Sequence, residues 1–341
     1  MYRPALPVRM LLLLRLSGRM YRANNPRGRY HRHIEEKAGL RPVDLQPEGR
    51  DALPPLLVKK IRWYMVELLE TGRLLVLLRE KPLTAREEKA LILLGGIMAV
   101  YDSLVDEQDD PGLPGKVLGR FIRKENFDGG KGWSGTEKVF HVLSEAFFSA
   151  VTEEQWLRFT RHFGQINYQL LSGRQKNERI SEKEVLDLTY GKGGASLLLC
   201  LSLLFPPDKK LEQAMFSLGG LIQLLNDAQD LHKDAVKGIT TFVRFKKSFG
   251  EIIETIEEQE NRTFGEFYPL SAEYRQTSRF LFCIHALTVA VKYKILAYRK
   301  NVGEYSDYDL LGKMDREYFR VDPFSQASVR YCVPKILFAR L

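Results

Sequence analysis

Three stretches of this 341-residue chain are apolar on every side: residues 90–101, 195–205 and 218–225. A helix that is hydrophobic all round belongs in a protein core or in a bilayer. None of the three stretches reaches the roughly 18–20 residues needed to cross a membrane. They therefore predict central helices in a large helical bundle.

The rest of the chain beyond residue 50 also indicates helices. N-terminal capping boxes are predicted at Thr84, Thr152 and Ser181, each followed three residues later by Glu or Gln. No segment alternates polar and apolar residues over several positions, as an exposed strand would, and the sequence contains no Asn-Gly hairpin dipeptide. We expect one all-α domain over residues 51–341.

The positive charge of the chain is concentrated at its N-terminus. Residues 1–50 hold ten arginines and one lysine against four acids, so they carry +7 of the net +9. The remainder is nearly neutral, which argues against a nucleic-acid-binding face. The first 50 residues are expected to be a basic Arg- and Pro-rich extension: a mitochondrial-type transit peptide, a membrane-surface anchor or a disordered tail. Alternatively, they include an overextended start, with translation beginning at Met20.

The cysteines exclude two common kinds of site. Cys200, Cys283 and Cys332 lie far apart with no Cys-x-x-Cys pair, so neither a disulfide framework nor a cysteine zinc site is expected. This predicts a cytoplasmic protein, with peripheral membrane contact left open, or a mitochondrial one if the basic extension is a transit peptide.

Two segments share one pattern: a Gly-Gly pair, an apolar stretch, and then oxygen-bearing side chains at intervals of four. These side chains are Asp102, Asp106 and Asp110 in the first segment, and Asn226, Asp230 and Asp234, with the adjacent Asp227, in the second. At about 100° per residue, positions four apart form one stripe along a helix. We expect two stripes of candidate metal ligands.

Such stripes are costly without a bound cation. Carboxylates four residues apart repel by a few tenths of a kcal/mol. Pro111 disfavours a helical Asp110, and Gly238 suits a C-terminal cap, so both clusters are expected in the last turns of their helices. There the helix dipole disfavours each anion by about 0.3–1 kcal/mol. An all-oxygen ligand set suits Mg²⁺. The alternative is two solvated acidic helix ends.

The Gly-Gly pairs at residues 95–96 and 219–220 also have two interpretations. Because glycine has no side chain, the pairs are expected to let the two acidic helices approach each other closely. Alternatively, they are tolerated helix breakers.

The two segments resemble known metal motifs. The run from Gln223 to Asp234, followed by Gly238, resembles the second metal motif of class I isoprenoid synthases, and Asp102-Ser-Leu-Val-Asp106-Glu is similar to the DxxxD(E) motif of the squalene and phytoene synthases. The resemblance extends over residues 55–341. It implies a single-domain isoprenoid-synthase-like bundle around a central apolar cavity, which ionises an allylic prenyl diphosphate with Mg²⁺.

The resemblance also implies residue roles. Asp102, Asp106 and Asp230 would be catalytic, and the acids of both segments would hold a trinuclear Mg²⁺ cluster. Candidate ligands of the substrate diphosphate are Lys192, expected at the start of the second apolar helix, together with Lys233, Lys237, Arg330 and Tyr331. Cyclisation and squalene/phytoene-type condensation both remain open.

Two other functions remain as alternatives. One is a non-catalytic scaffold related to squalene and phytoene synthases, such as the mitochondrial respiratory assembly factors. The other is a peripheral membrane or nucleic-acid binder that acts through residues 1–50.

Overall fold

A computed structural model describes residues 29–45, 52–107, 112–125, 133–163, 171–176, 179–206, 208–304, 307–322 and 325–339, with Met10 and Tyr168. These residues form helices joined by turns, and none of them is in a strand. The predicted all-α class is therefore confirmed. The described residues form two compact units.

The first unit draws on Leu16–Leu170 and Leu199–Pro207. Its described helices are α1 (Arg29–Ala38), α2 (Pro42–Leu45), α3 (Pro55–Leu75), α4 (Ala85–Glu107), α5 (Leu113–Ile122), α6 (Gly135–Ala150) and α7 (Glu153–Arg161). The second unit draws on Leu171–Leu198 and Asp208–Leu341. It contains most of α8 (Glu182–Leu204), then α9 (Lys209–Gln229), α10 (Leu231–Val236), α11 (Phe249–Phe267), α12 (Thr277–Val302), α13 (Tyr308–Leu311) and α14 (Gln326–Leu337).

The predicted capping boxes are confirmed. The backbone N–H of Thr84 donates to Glu87 Oε2 at 2.8 Å, and the Glu87 N–H donates back to Thr84 Oγ1 at 3.2 Å. The same reciprocal bonds start α7 at Thr152 and α8 at Ser181. A further capping box at Ser134 starts α6.

The core of the first unit is built on α3, α4 and α6. Gly95 of α4 lies against α3, because a Cβ on this glycine would be 2.4 Å from the Tyr64 carbonyl oxygen. The neighbouring Gly96 faces Met65 of α3 and Leu143 of α6. The first apolar stretch, which is part of α4, is therefore buried against two other helices of its own unit, α3 and α6.

Helix α1 belongs to this folded unit although it lies within residues 1–50. Its Ile34 is 1% exposed, and its Glu35 forms an ion pair with Arg62 of α3. Lys37 forms another with Glu88 of α4. The expected boundary at residue 50 therefore does not mark the start of the folded chain.

The second unit is organised around the crossing of α8 and α9. A Cβ on Gly193 would lie 2.1 Å from Gly219 O, and a Cβ on Gly219 would lie 2.2 Å from Gly193 O. The expectation that the two Gly-Gly pairs bring the two acidic helices together is wrong, because each pair has its closest contacts within its own unit. The glycines do serve close approach, with α3 in one unit and α8 in the other.

One described helix, α12, has the length and composition of a membrane span. Its most apolar window has a mean hydropathy of 1.6, and 56% of that window is buried. The buried face packs against α9, α11 and α14. These contacts are those of a core helix in the second unit.

Candidate functional site at the end of α9

The second acidic segment contains a helix break that the sequence pattern did not predict. Helix α9 ends at Gln229, and α10 begins at Leu231. Asp230 lies between them with φ −91° and ψ 6°. The Asp230 N–H still donates to Asn226 O at 2.9 Å, and the Asp234 N–H donates to Asp230 O at 2.9 Å. The expected continuous helix is therefore interrupted at Asp230, while its four-residue hydrogen-bond spacing is preserved.

The end of α10 is capped as predicted. Gly238 has φ +65°, a conformation that glycine adopts without strain. The next N–H, that of Ile239, donates to Asp234 O at 2.9 Å. This closes the last turn and fixes the backbone of Asp234.

Asp227 is the most firmly held carboxylate of the segment. Its Oδ1 accepts a hydrogen bond from Gln223 Nε2 at 2.8 Å, and its Oδ2 accepts one from the Thr189 hydroxyl of α8 at 3.2 Å. Burial raises the pKa of Asp227 to about 6, although these hydrogen bonds and the charge of Lys192 oppose the shift. The carboxylate is thus positioned by two helices.

Asp234 is also buried, with 8% of its surface exposed. Burial, followed by repulsion from Asp227 and Asp230, raises its pKa to about 7, against the charges of Lys233 and Lys192. Three carboxylates therefore influence one another in one small region. A bound cation would relieve both the repulsion and the cost of burial.

The side chains that come together in the second segment are not the ones expected from the four-residue spacing. Asn226 is exposed, whereas Asp227 and Asp234 are buried and Asp230 is half-buried. The structure therefore groups Asp227, rather than Asn226, with Asp230 and Asp234. The sequence signal that favours Asp227 is the Gln223 four residues before it, at hydrogen-bonding distance along a helix.

Lysines supply positive charge around the cluster. Lys233 Nζ lies 2.6 Å from Asp230 Oδ2. Lys192 is electrostatically coupled to Asp227 and Asp234. It lies in the middle of α8, which begins at Glu182, so its expected position at a helix start is wrong. Lys237, the C-cap residue that follows α10, is exposed.

Helix α12 contributes residues that sequence reasoning missed. Lys294 Nζ lies 3.5 Å from Gln229 O, and the Tyr298 hydroxyl donates to the same carbonyl at 3.2 Å. Burial lowers the pKa of Lys294, and the charge of Asp230 partly restores it. These residues are about 70 positions from the motif, and no local pattern connects them to it.

The segment that begins with α13 packs against α10. The Phe319 ring stacks on His232 with centroids 4.6 Å apart and contacts the Tyr298 ring at 5.3 Å. His232 Nε2 lies 3.0 Å from Met314 O. A Cβ on Gly312 would lie 3.0 Å from the backbone of Ala235. The short helix α10, which carries Asp234, is thus packed against the segment that follows α12.

The predicted Arg-Tyr pair lies in other surroundings. Arg330 of α14 is exposed. The Tyr331 ring contacts the Tyr293 ring at 5.3 Å, and the Lys335 ammonium lies 4.9 Å from the Tyr331 centroid. None of these described contacts involves the acidic cluster.

The first acidic segment lies in the other unit. Asp102 of α4 forms an ion pair with Lys60 at 2.7 Å, and the Tyr64 hydroxyl donates to its Oδ2 at 3.3 Å. Asp106 is in the last turn of α4, but its side chain lies outside the described residues. Asp110 lies wholly outside them. The predicted roles of these two acids stay predictions.

The carboxylates of the second acidic segment are ligands of the kind that Mg²⁺ prefers. Their spacing limits how many of them could bind one ion. Across the described part of the chain, no three His, Cys, Asp or Glu side chains are close enough together to hold one metal ion. Mg²⁺ usually binds through one or two carboxylates and completes its coordination with water and substrate phosphates. Asp230 and Asp234 supply carboxylates of that kind without forming an all-protein cage.

The comparisons with known proteins name no relative. No protein-family model matches the chain, and neither a curated protein nor a solved structure is significantly similar to it.

Proposed function

We propose that this protein is a Mg²⁺-dependent class I isoprenoid synthase that ionises an allylic prenyl diphosphate and releases diphosphate. The observation that carries the proposal is the cluster of Asp227, Asp230 and Asp234 where α9 passes into α10. Burial and mutual repulsion raise the pKa of Asp227 to about 6 and that of Asp234 to about 7. A site of this charge favours a cation.

The residues of the chain have distinct roles in this proposal. Asp230 and Asp234 bind the cation, while Asp227 is kept in place by Thr189 and Gln223. Lys192 attracts the diphosphate to the same place. When bound, Mg²⁺ supplies positive charge that stabilises the leaving diphosphate.

The rest of the proposal rests on the motif resemblance. Asp102 and Asp106 would supply the second group of acidic ligands, and an apolar cavity would exclude water from the allylic cation. Cyclisation and condensation both begin with the same ionisation. The mass of the organic product distinguishes them.

The test uses the full chain with C10, C15 and C20 allylic diphosphates, in Mg²⁺ or in EDTA. We expect diphosphate release only with Mg²⁺, and we expect Asp230→Ala to lower it by at least about a hundredfold. Glu254→Ala is the matched control, since Glu254 is an exposed acid on α11. Equal release by wild type and Asp230→Ala would overturn the proposal.

A non-catalytic scaffold is the second candidate function. It is favoured by the ion pairs of Lys60 with Asp102, at 2.7 Å, and of Lys233 with Asp230, at 2.6 Å. These lysines neutralise acids that an enzyme would present to metal. Folded protein that releases no diphosphate and gains no thermal stability from Mg²⁺ would support this candidate.

A further inference from the structure

Lys294 and Tyr298 of α12 converge on one backbone carbonyl. Lys294 Nζ lies 3.5 Å from Gln229 O, and the Tyr298 hydroxyl lies 3.2 Å from the same oxygen. Gln229 is the last residue of α9 and directly precedes Asp230. Two side chains of α12 are therefore directed at the backbone between Asp227 and Asp230, within the acidic cluster.

The ammonium group of Lys294 has more donors than the described protein satisfies. A lysine ammonium carries three donors. In the part of the chain that the structure describes, Lys294 contacts Gln229 O at the outer limit of a hydrogen bond and the face of the Tyr298 ring, whose centroid is 5.8 Å away. Lys294 is half-buried, so donors that the described protein does not satisfy are available to water or to a bound ligand.

Another half-buried lysine of the same helix shows the contrast. Lys292 Nζ lies 3.0 Å from Glu257 Oε1 and 3.6 Å from Glu260 Oε2. Its charge is therefore paired within the second unit. Lys294 has no comparable ion pair to a described carboxylate, although the charge of Asp230 is near enough to affect its pKa.

Tyr298 limits where the lysine side chain can go. The tyrosine is 1% exposed, and its hydroxyl is tied to Gln229 O. Its ring also contacts Phe319 at 5.3 Å. The Lys294 ammonium lies over this fixed ring and next to Gln229 O, the residue before Asp230, instead of extending along the surface as a long cationic side chain often does.

We infer that Lys294 is an anion-binding residue of the acidic site, and that it binds phosphate oxygens of the ligand beside the cation held by Asp230. Phosphate oxygens are strong acceptors for an ammonium group and would satisfy its remaining donors. The inference deepens the proposed function and rests on it for the identity of the ligand as a diphosphate. The binding of a phosphate-type anion can be measured without any turnover.

The experiment is isothermal titration calorimetry of the full chain with inorganic pyrophosphate, in Mg²⁺ and in EDTA. We expect Lys294→Met to weaken pyrophosphate binding at least tenfold and Lys294→Arg to retain most of it. Lys300→Met is the matched control, because Lys300 is an exposed lysine of the same helix. The Lys294→Met variant should fold, since Tyr298 still donates to Gln229 O; a thermal melt checks this.

The outcomes separate this inference from the proposed function. Wild-type binding of pyrophosphate that is unchanged in Lys294→Met would overturn the inference and leave the proposed function standing. Lys294-dependent binding without turnover of any allylic diphosphate would support the anion site and overturn the proposed function. No binding by wild type, with or without Mg²⁺, would overturn both. A parallel titration with inorganic phosphate shows whether one phosphate group suffices.

Discussion

Gly193 of α8 and Gly219 of α9 bring two helix backbones into direct contact: a Cβ on Gly193 would lie 2.1 Å from Gly219 O. The same crossing places Thr189 of α8 within hydrogen-bonding distance of Asp227 of α9, at 3.2 Å. It also brings Lys192 near enough for its positive charge to oppose the rise that burial causes in the pKa of Asp227. The glycine contact therefore determines which groups surround the buried carboxylate.

We expect Gly219→Ala to destabilise the protein by about 1–3 kcal/mol, the usual cost of overpacking. The added Cβ would lie 2.2 Å from the Gly193 carbonyl, and backbone cannot move aside as a flexible side chain can. Gly265→Ala in α11 is the control, because a Cβ there meets no atom within 4 Å. It should gain up to about 1 kcal/mol from helix propensity. Urea unfolding measures both, and equal effects would contradict the prediction.

The acidic cluster should make stability depend on pH. The pKa of Asp234 is raised from 3.8 to about 7, so between these values the folded protein binds more protons than the unfolded chain. Stability therefore falls as pH rises through this window. Asp227, with a pKa of about 6, acts in the same direction.

Asp234→Asn tests this dependence. The amide cannot ionise. We therefore expect the free energy of unfolding of the variant to exceed that of wild type by about 1–3 kcal/mol at pH 8, and the two values to differ little near pH 4. Urea midpoints at the two pH values measure the difference. A gain that is the same at both would show that the charge of Asp234 is not responsible.

We expect Lys60→Met to cost about 1–3 kcal/mol at pH 7, because it removes the ammonium that lies 2.7 Å from the half-buried Asp102. Lys59→Met, at the exposed neighbouring position, should have little effect. The double variant Lys60→Met/Asp102→Asn should recover much of the loss. Thermal denaturation measures all three, and a failure of the second substitution to help would argue against the ion pair.

Gly238→Ala should destabilise α10 by about 1–2 kcal/mol, because the φ of +65° at this position is unfavourable for residues with a Cβ. Gly238→Asn should cost less, since asparagine tolerates this conformation better. Nothing lies within 4 Å of the Cβ position, so the effect is conformational and not steric. Thermal unfolding of both variants checks the order.

The features that the sequence predicted correctly are local ones. The Thr84 capping box and the Gly238 cap depend on residues within a few positions, and both are confirmed. The prediction that Lys192 lies at a helix start was wrong, because it took the apolar stretch at residues 195–205 as the body of the helix. Helix α8 begins earlier, at Glu182, and its first half is polar.

The features that the sequence did not predict depend on distant contacts. The partner of Gly219 is Gly193, on a different helix. Lys294 reaches the acidic site only because α12 packs against α9. No pattern of spacing within the motif contains this information. The break at Asp230 was also missed, because the i, i+4 spacing of the acids reads as one continuous helix.

The ion pair of Lys233 with Asp230, at 2.6 Å, has a consequence for how the chain would acquire a metal. An incoming metal ion would have to displace the Lys233 ammonium from Asp230, because the charge of this carboxylate is already paired. The protein should therefore fold in the presence of a chelator, and the occupancy of the proposed metal site should follow the free ion concentration. In the proposed site, a metal would therefore bind reversibly and after folding.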